Sequence, residues 1–241
     1  MLLKFFVCDI IFLRCIMQEL SLKVIAKIKS DFKQKFGLPR QSGLTSLKSY
    51  VIFQPEYSDL QAVRGLEGFS HVWLLWHFSE VKNHEFSPTV RPPRLGGNKR
   101  IGVFATRSPF RPNPIGLSCV KLLEINQIEG RVVLTVEGAD LMDGTPIFDV
   151  KPYIPYADSK PQATGGFVTE NPNEFLSVEI LNEYKNILPS DKLEGLIQAL
   201  ERDPRPAYHS GEREYTFDFD NYAVTFTVKD KVLYVLKIEK L

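Results

Sequence analysis

CVKLLEINQIEGRVVLTVE, residues 119–137, holds two runs of strand-forming residues, Cys119–Ile125 and Arg131–Glu137, on either side of a turn marked by Gly130. β-Branched and leucine side chains at this density, broken by one glycine, predict a hairpin. Upstream, HVWLLWHF (His71–Phe78) is a dense aromatic run of strand length, bounded by Gly68 and Ser70, which fits a buried strand better than a helix. Leu22–Lys29, Ser46–Phe53, Ile101–Thr106 and Phe148–Tyr153 read as further strands, Ser30–Leu44 as a long loop and Tyr57–Glu67 as a short helix or turn. Many short strands with few helices predict a barrel or a sandwich. Pro, Gly, Ser, Thr and Ala then dominate Ala157–Asn173, which marks a domain boundary. Beyond it lie a strand at Phe175–Ile180 and a helix at Ser190–Glu201, with Ser190 as N-cap and Leu193, Leu196, Ile197 and Leu200 on one face. Tyr215–Phe219, Tyr222–Val228 and Val232–Ile238 alternate as a β-meander, so the tail is a small α+β unit.

A chain of 241 residues can bury one large core, or a large and a small one. Its net charge of +1 does not announce a polyanionic partner, so any such partner must be met by a local patch. Cys8, Cys15 and Cys119 offer no disulfide framework and no metal spacing, which fits reduced thiols in the cytoplasm. The leader Met1–Ile16 is apolar, but Asp9 and Arg14 interrupt it and it falls short of the roughly 20 residues of a spanning helix. It lacks a small-residue cleavage site. We expect a start at Met17, with residues 1–16 non-native or disordered.

Thr89–Ser118 (TVRPPRLGGNKRIGVFATRSPFRPNPIGLS) carries Arg91, Arg94, Lys99, Arg100, Arg107 and Arg111 and no acidic residue. Prolines fix φ and glycines permit close backbone approach, so arginines can be held on rigid loops. Arginine suits bidentate binding of phosphate or carboxylate, although a solvated loop face fits the charge as well. DLMDGTP (Asp140–Pro146) places two carboxylates three apart beside a turn at Asp143–Gly144. They could bind a cation, an amine or hydroxyls, and the spacing alone fits an ordinary turn. DPRPAY (Asp203–Tyr208) stiffens the chain after the helix and carries Arg205 and Tyr208. The sequence contains no G-x-G-x-x-G opening a helix, no G-x-x-x-x-G-K-[ST], no H-E-x-x-H and no G-x-S-x-G. His71, His77, His84 and His209 show no ligand spacing, so no metal is expected.

These motifs, with LPRQSGL (Leu38–Leu44), AVRGLEGFSHVWLLWHF (Ala62–Phe78) and DLMDGTPIFDVKPYIPYADS (Asp140–Ser159), closely resemble the TrmO family, also called TsaA-like, in order from about Leu22 to the C-terminus. The resemblance implies a mainly β fold: a small β-barrel N-terminal domain at residues 17–160 and a smaller α+β C-terminal domain at 161–241. It implies a homodimer, with the cofactor near the subunit interface. The implied activity is transfer of a methyl group from S-adenosyl-L-methionine to N6 of N6-threonylcarbamoyladenosine, beside the anticodon of threonine tRNA. Cofactor contacts are implied for Pro39, Arg40, Gln41, Arg107, Leu117, Asp140, Leu141, Met142 and Asp143, and for Ser79 and Glu80 after the aromatic strand. Arg91, Arg94, Lys99, Arg100, Arg111, Arg205 and Tyr208 are then expected to meet the tRNA. An arginine can fork onto the cofactor carboxylate, and an aspartate can accept from its amine or ribose hydroxyls. Asp143, Glu80 and Tyr208 could take the N6 proton, but the motifs assign no catalytic residue. The alternative is a non-catalytic barrel that binds RNA or S-adenosylmethionine.

Overall fold

A computed structural model describes residues 19–81, 86–171, 175–206 and 213–241. The leader 1–16, the start at Met17, His84, His209 and Tyr208 of the DPRPAY loop all lie outside the described residues. The strands are β1 (Ala26–Lys29), β2 (Lys48–Phe53), β3 (His71–His77), β4 (Thr89–Val90), β5 (Ile101–Gly102), β6 (Ile115–Ile128), β7 (Arg131–Glu137), β8 (Pro146–Pro152), β9 (Ser177–Ile180), β10 (Tyr215–Phe219), β11 (Tyr222–Lys229) and β12 (Val232–Lys240). Among the described residues, helix is confined to the single turns α1 (Pro155–Asp158) and α2 (Phe167–Glu170), the longer α3 (Ser190–Leu200) and several 3-10 turns. The protein is therefore mainly β. No helix among the described residues is long and apolar enough to cross a membrane.

Six antiparallel strands, in the order β1-β2-β7-β6-β3-β8, close on themselves as β8 pairs back to β1. Period-two alternation puts Val72, Leu74 and Trp76 of β3 inside, with Val132, Leu134 and Val136 of β7. The hairpin expected around Gly130 joins β6 to β7, with Glu129 and Gly130 both at positive φ (51° and 74°). This is the two-residue turn whose twist matches paired strands.

The second core is built differently. Sheet β10-β11-β12-β9 has β9 parallel to β12, and α3 buries Leu196, Ala199 and Leu200 against Phe217, Phe226 and Leu233. Phe32 and Leu47, from the segment between β1 and β2, belong to this second core, and Phe36 and Leu38 pack against it. The long loop expected at Ser30–Leu44 is thus pinned to the C-terminal unit. Gly37 shows why a glycine stands there: its φ is +88°, and a Cβ would lie 2.5 Å from the Phe217 ring.

Two local expectations fail. Ile101–Thr106 is a strand only over Ile101–Gly102, and Val103–Ala105 is a 3-10 turn. The guanidinium of Arg111 donates to the carbonyls of Val103 (3.3 Å) and Thr106 (2.7 Å), which turns them away from any ladder. Ser190 does not cap α3. It is the first helical residue, Pro189 occupies the cap position, and no side chain bonds to the helix end there.

Candidate active site

Strand register places three loops at one end of the barrel. His77 at the end of β3 faces Ile115 at the start of β6, and Glu137 at the end of β7 lies across from both Lys121 and Lys48. Lys29 at the end of β1 faces Tyr50 near the start of β2, and Lys27 faces Pro146 at the start of β8. Segments 30–47, 78–114 and 138–145 therefore leave the barrel at the same rim. They carry the Pro39–Gln41 loop, the basic segment and the Asp140–Asp143 turn. Separate loops on one rigid rim can converge on a ligand without disturbing the core.

The convergence is direct. Arg107 donates to the amide oxygen of Gln41, joining the basic loop to the Pro39–Gln41 loop. Behind them runs a hydrogen-bonded chain: Trp76 Nε1 donates to Ser118 Oγ (2.9 Å), and Ser118 Oγ donates to Asp140 Oδ1 (2.5 Å). Trp76 and Ser118 face the barrel interior, and Gly116 leaves room for the indole, since a Cβ there would sit 2.2 Å from the ring. Burial pushes the Asp140 carboxyl above the usual range, while the Ser118 hydroxyl, its own backbone N–H and the charge of Arg107 oppose the rise. Neither Ser118 nor Trp76 stands out in the sequence. The available signal is a serine at an inward position of a strand, flanked by buried Gly116 and Val120.

The C-terminal unit buttresses this end. Ser46 N donates to Gln198 Oε1 (2.6 Å), and Lys192 of α3 bonds both Asp31 (2.9 Å) and Asp220 (2.6 Å). Arg40 turns towards the DPRPAY loop and donates to the carbonyls of Asp203 (3.4 Å) and Arg205 (3.2 Å). Burial holds its pKa below the ordinary arginine value, with the charge of Arg94 acting the same way and Asp203 against it. Arg40 and Arg94 are thus close enough to repel.

Other expected residues lie apart or are engaged. Asp143 accepts from Ser30 N (3.0 Å) and Lys33 Nζ (2.9 Å), so both of its oxygens are taken. Leu141 is buried in the barrel core, and its carbonyl accepts from Ser30 Oγ (2.8 Å). Met142 and Ser79 are half-buried, Pro39 is buried, and Glu80 is exposed with its carbonyl held by Lys35 Nζ (3.1 Å). Leu117 points outward and is 53% exposed, on the opposite face of β6 from Ser118. Arg205 forks onto Asp203 through Nε and Nη2, both at 2.8 Å. Arg94 donates to the carbonyls of Val168 (3.1 Å) and Asn171 (3.3 Å), and Arg111 is spent on its own loop. Arg91 and Arg100 are exposed, and Arg100 braces the β4–β5 ribbon through Thr89 Oγ1 (2.7 Å). A cleft of about 620 Å³ lies elsewhere, lined by α3 residues such as Leu193, Glu194 and Ile197, and it gathers none of these groups.

The fold and site together define a β-barrel with polar and charged side chains gathered at its loop-bearing rim and a basic, proline-stiffened segment beside it. Residues 27–159 match the tRNA-methyltransferase O N-terminal domain and residues 174–241 the TrmO C-terminal domain, so the chain belongs to the TrmO family. It is 40% identical over 233 residues to the tRNA (adenine(37)-N6)-methyltransferase of Escherichia coli, covering 92% of this chain and 99% of that one. A relative from Methanothermobacter thermautotrophicus, named "Probable S-adenosyl-L-methionine-binding protein", is 38% identical over 141 residues, which span 58% of this chain and 95% of its own. The crystal structure of TrmO from Pseudomonas aeruginosa superposes with a TM-score of 0.76 at 32% identity, covering 95% of this chain and all of that one.

Proposed function

We propose that this chain is an S-adenosylmethionine-dependent tRNA methyltransferase acting on N6 of adenine 37, with N6-threonylcarbamoyladenosine of threonine tRNA as its substrate. The observation that carries this reading is the meeting of Gln41, Arg107, Ser118 and Asp140 at one rim, each positioned by a different segment or by the barrel wall. The donor set fits the cofactor. Arg107 offers a fork for the methionyl carboxylate, and Asp140 accepts from the ammonium or the ribose hydroxyls. The bound cofactor would supply an electrophilic methyl group on a sulfonium sulfur.

The protein's share is placement. Alignment of the acceptor nitrogen with the methyl group, and exclusion of water, can contribute about 7–11 kcal/mol to such a displacement. The carbamoyl group draws on the N6 lone pair, so loss of the N6 proton must accompany bond formation. Asp143 is poorly suited to take it, because Lys33 and the Ser30 amide already compensate its charge. Arg91, Lys99 and Arg100 extend the rim as a basic face for phosphates.

Outward-facing Leu117, with Ile115 beside it on β6, fits a homodimer in which a second copy completes the cofactor site. We divide the chain into a barrel domain at 17–160 and a smaller α+β domain at 161–241, whose core is completed by Phe32 and Leu47 of the first. We place the enzyme in the cytoplasm, where cysteines without a disulfide framework stay reduced.

Transfer of labelled methyl from S-adenosylmethionine to threonine tRNA bearing the threonylcarbamoyl group tests the proposal. Label should appear on that tRNA and not on the same tRNA lacking the group. Cofactor binding without any transfer would instead make the chain a non-catalytic binding barrel.

A further inference from the structure

Phe104 has no role in the core. It sits in the 3-10 turn Val103–Ala105, where its neighbour Val103 is 1% exposed and Phe104 itself is 71% exposed. The turn that presents it is heavily fixed. Arg111 gathers the carbonyls of Val103, Thr106 and Ser108, and Thr106 Oγ1 donates to the Val103 carbonyl (2.8 Å). The same guanidinium lies over the Phe104 ring, 5.7 Å from its centroid. Phe86, itself 52% exposed, stacks beside it with centroids 6.4 Å apart and planes 28° from parallel. Two adjacent exposed aromatic rings, one on a rigid turn, form an apolar patch of the kind that marks an interaction site.

Charge decides what that partner is. From Phe86 to Pro114 the chain carries exposed Arg91, Lys99, Arg100 and Arg107 and no acidic residue. A symmetric contact with a second copy through this face would set like charges against each other. A polyanion with exposed flat rings suits it on both counts, and single-stranded RNA offers both.

We propose that Phe104, flanked by Phe86, is a stacking platform for an unpaired base of the anticodon loop. The base would be held there while the neighbouring basic side chains meet its phosphates. The inference rests on the tRNA methyltransferase reading above and adds the surface that recognises the single-stranded loop.

The test measures binding of the full-length protein to a synthetic anticodon stem–loop of threonine tRNA, and to a fully paired duplex of the same stem, over a range of salt. Phe104→Ala and Phe104→Leu should weaken stem–loop binding by about 5- to 150-fold, the range of one base–aromatic stack, and Phe104→Tyr should stay within about twofold of the parent. Duplex binding, cofactor affinity and the salt slope should not move, because a neutral stacking interaction releases no counterions. Full affinity in Phe104→Leu would overturn the platform, since leucine is apolar but not flat. Equal losses for stem–loop and duplex would overturn it too. Loss of dimer in sedimentation by Phe104→Ala would assign the ring to a second copy and overturn it. A parent protein that neither binds nor methylates tRNA would sink the enzymatic reading itself. A parent that does both, with an unaffected Phe104→Ala, would remove only the platform.

Discussion

Ser118→Ala should cost more in cofactor binding than its size suggests. The substitution removes one oxygen with two partners. Trp76 Nε1 loses an acceptor at 2.9 Å inside the barrel, where Trp76 is 7% exposed, and Asp140 loses a donor at 2.5 Å. An orphaned buried donor costs about 1–3 kcal/mol, so melting should fall by roughly 2–12 °C at about 2–4 °C per kcal/mol for a chain of this size. That much would follow from any buried hydroxyl. The specific consequence concerns Asp140. Burial raises its pKa and the Ser118 hydroxyl opposes the rise, so removing the hydroxyl raises it further. If the ionised carboxylate holds the cofactor, affinity falls as pH drops through this pKa, and in Ser118→Ala that fall should move to higher pH. At neutral pH we expect about tenfold weaker binding by calorimetry, equivalent to about 1.4 kcal/mol. Combined with Asp140→Asn, the two losses should not add, because both report on one interaction. A lower melting temperature with unchanged cofactor affinity and an unmoved pH profile would refute the positioning role.

Asp140→Asn should separate stability from function. The native carboxyl is raised above its ordinary value of 3.8, chiefly by burial. A raised pKa means folding favours the protonated form, so the native protein loses stability as pH climbs through that pKa. The asparagine variant should therefore melt higher than the parent at neutral pH, the gap should close as pH falls below about 4, and cofactor binding should weaken; thermal scans against pH check the sign. Arg107→Ala should impair cofactor binding more than tRNA binding. Arg100→Ala should do the reverse and reduce the salt slope of tRNA binding by about 0.7–0.9 for each phosphate left without its cation, and the idea fails if both variants lose only tRNA affinity. Gly37→Ala combines a left-handed backbone, φ +88°, with a Cβ 2.5 Å from Phe217. It should destabilise by about 1–3 kcal/mol and weaken cofactor binding through the displaced Pro39–Gln41 loop, whereas native affinity in a destabilised variant would detach that loop from the C-terminal core.

Local chemistry made much of the fold legible. Arg131–Glu137 and Tyr215–Phe219 are strands with the bounds their residue types imply, and His71–His77 is one residue shorter than its aromatic run. β-Branched and aromatic side chains with period-two burial write their pattern in a few consecutive residues. Pairings distant in sequence were not legible. Arg111 converts Val103–Ala105 from strand to turn by binding carbonyls five and eight residues back, and no local propensity records that. Phe32, Phe36 and Leu38 look in sequence like stray apolar residues of a loop, because their partners are beyond residue 175. The site divides the same way. Arg107, Gln41 and Asp140 stand in motifs, and the structure joins them. Ser118 and Trp76 also lie within the quoted motifs, but a serine and a tryptophan in strands suggest no pairing until register brings them face to face with the Asp140 turn. Arg111 and Arg205 group by charge with the arginines we propose for RNA, yet carbonyls and Asp203 engage them internally.

A crystal structure of the chain with S-adenosylhomocysteine would test the three-loop rim most directly. The ligand should lie at the barrel end formed by segments 30–47, 78–114 and 138–145, its carboxylate within reach of Arg107 and its amine or ribose within reach of Asp140. Ligand at the opposite end of the barrel, or in the cleft beside α3, with the Gln41–Arg107 and Ser118–Asp140 bonds undisturbed, would contradict that placement.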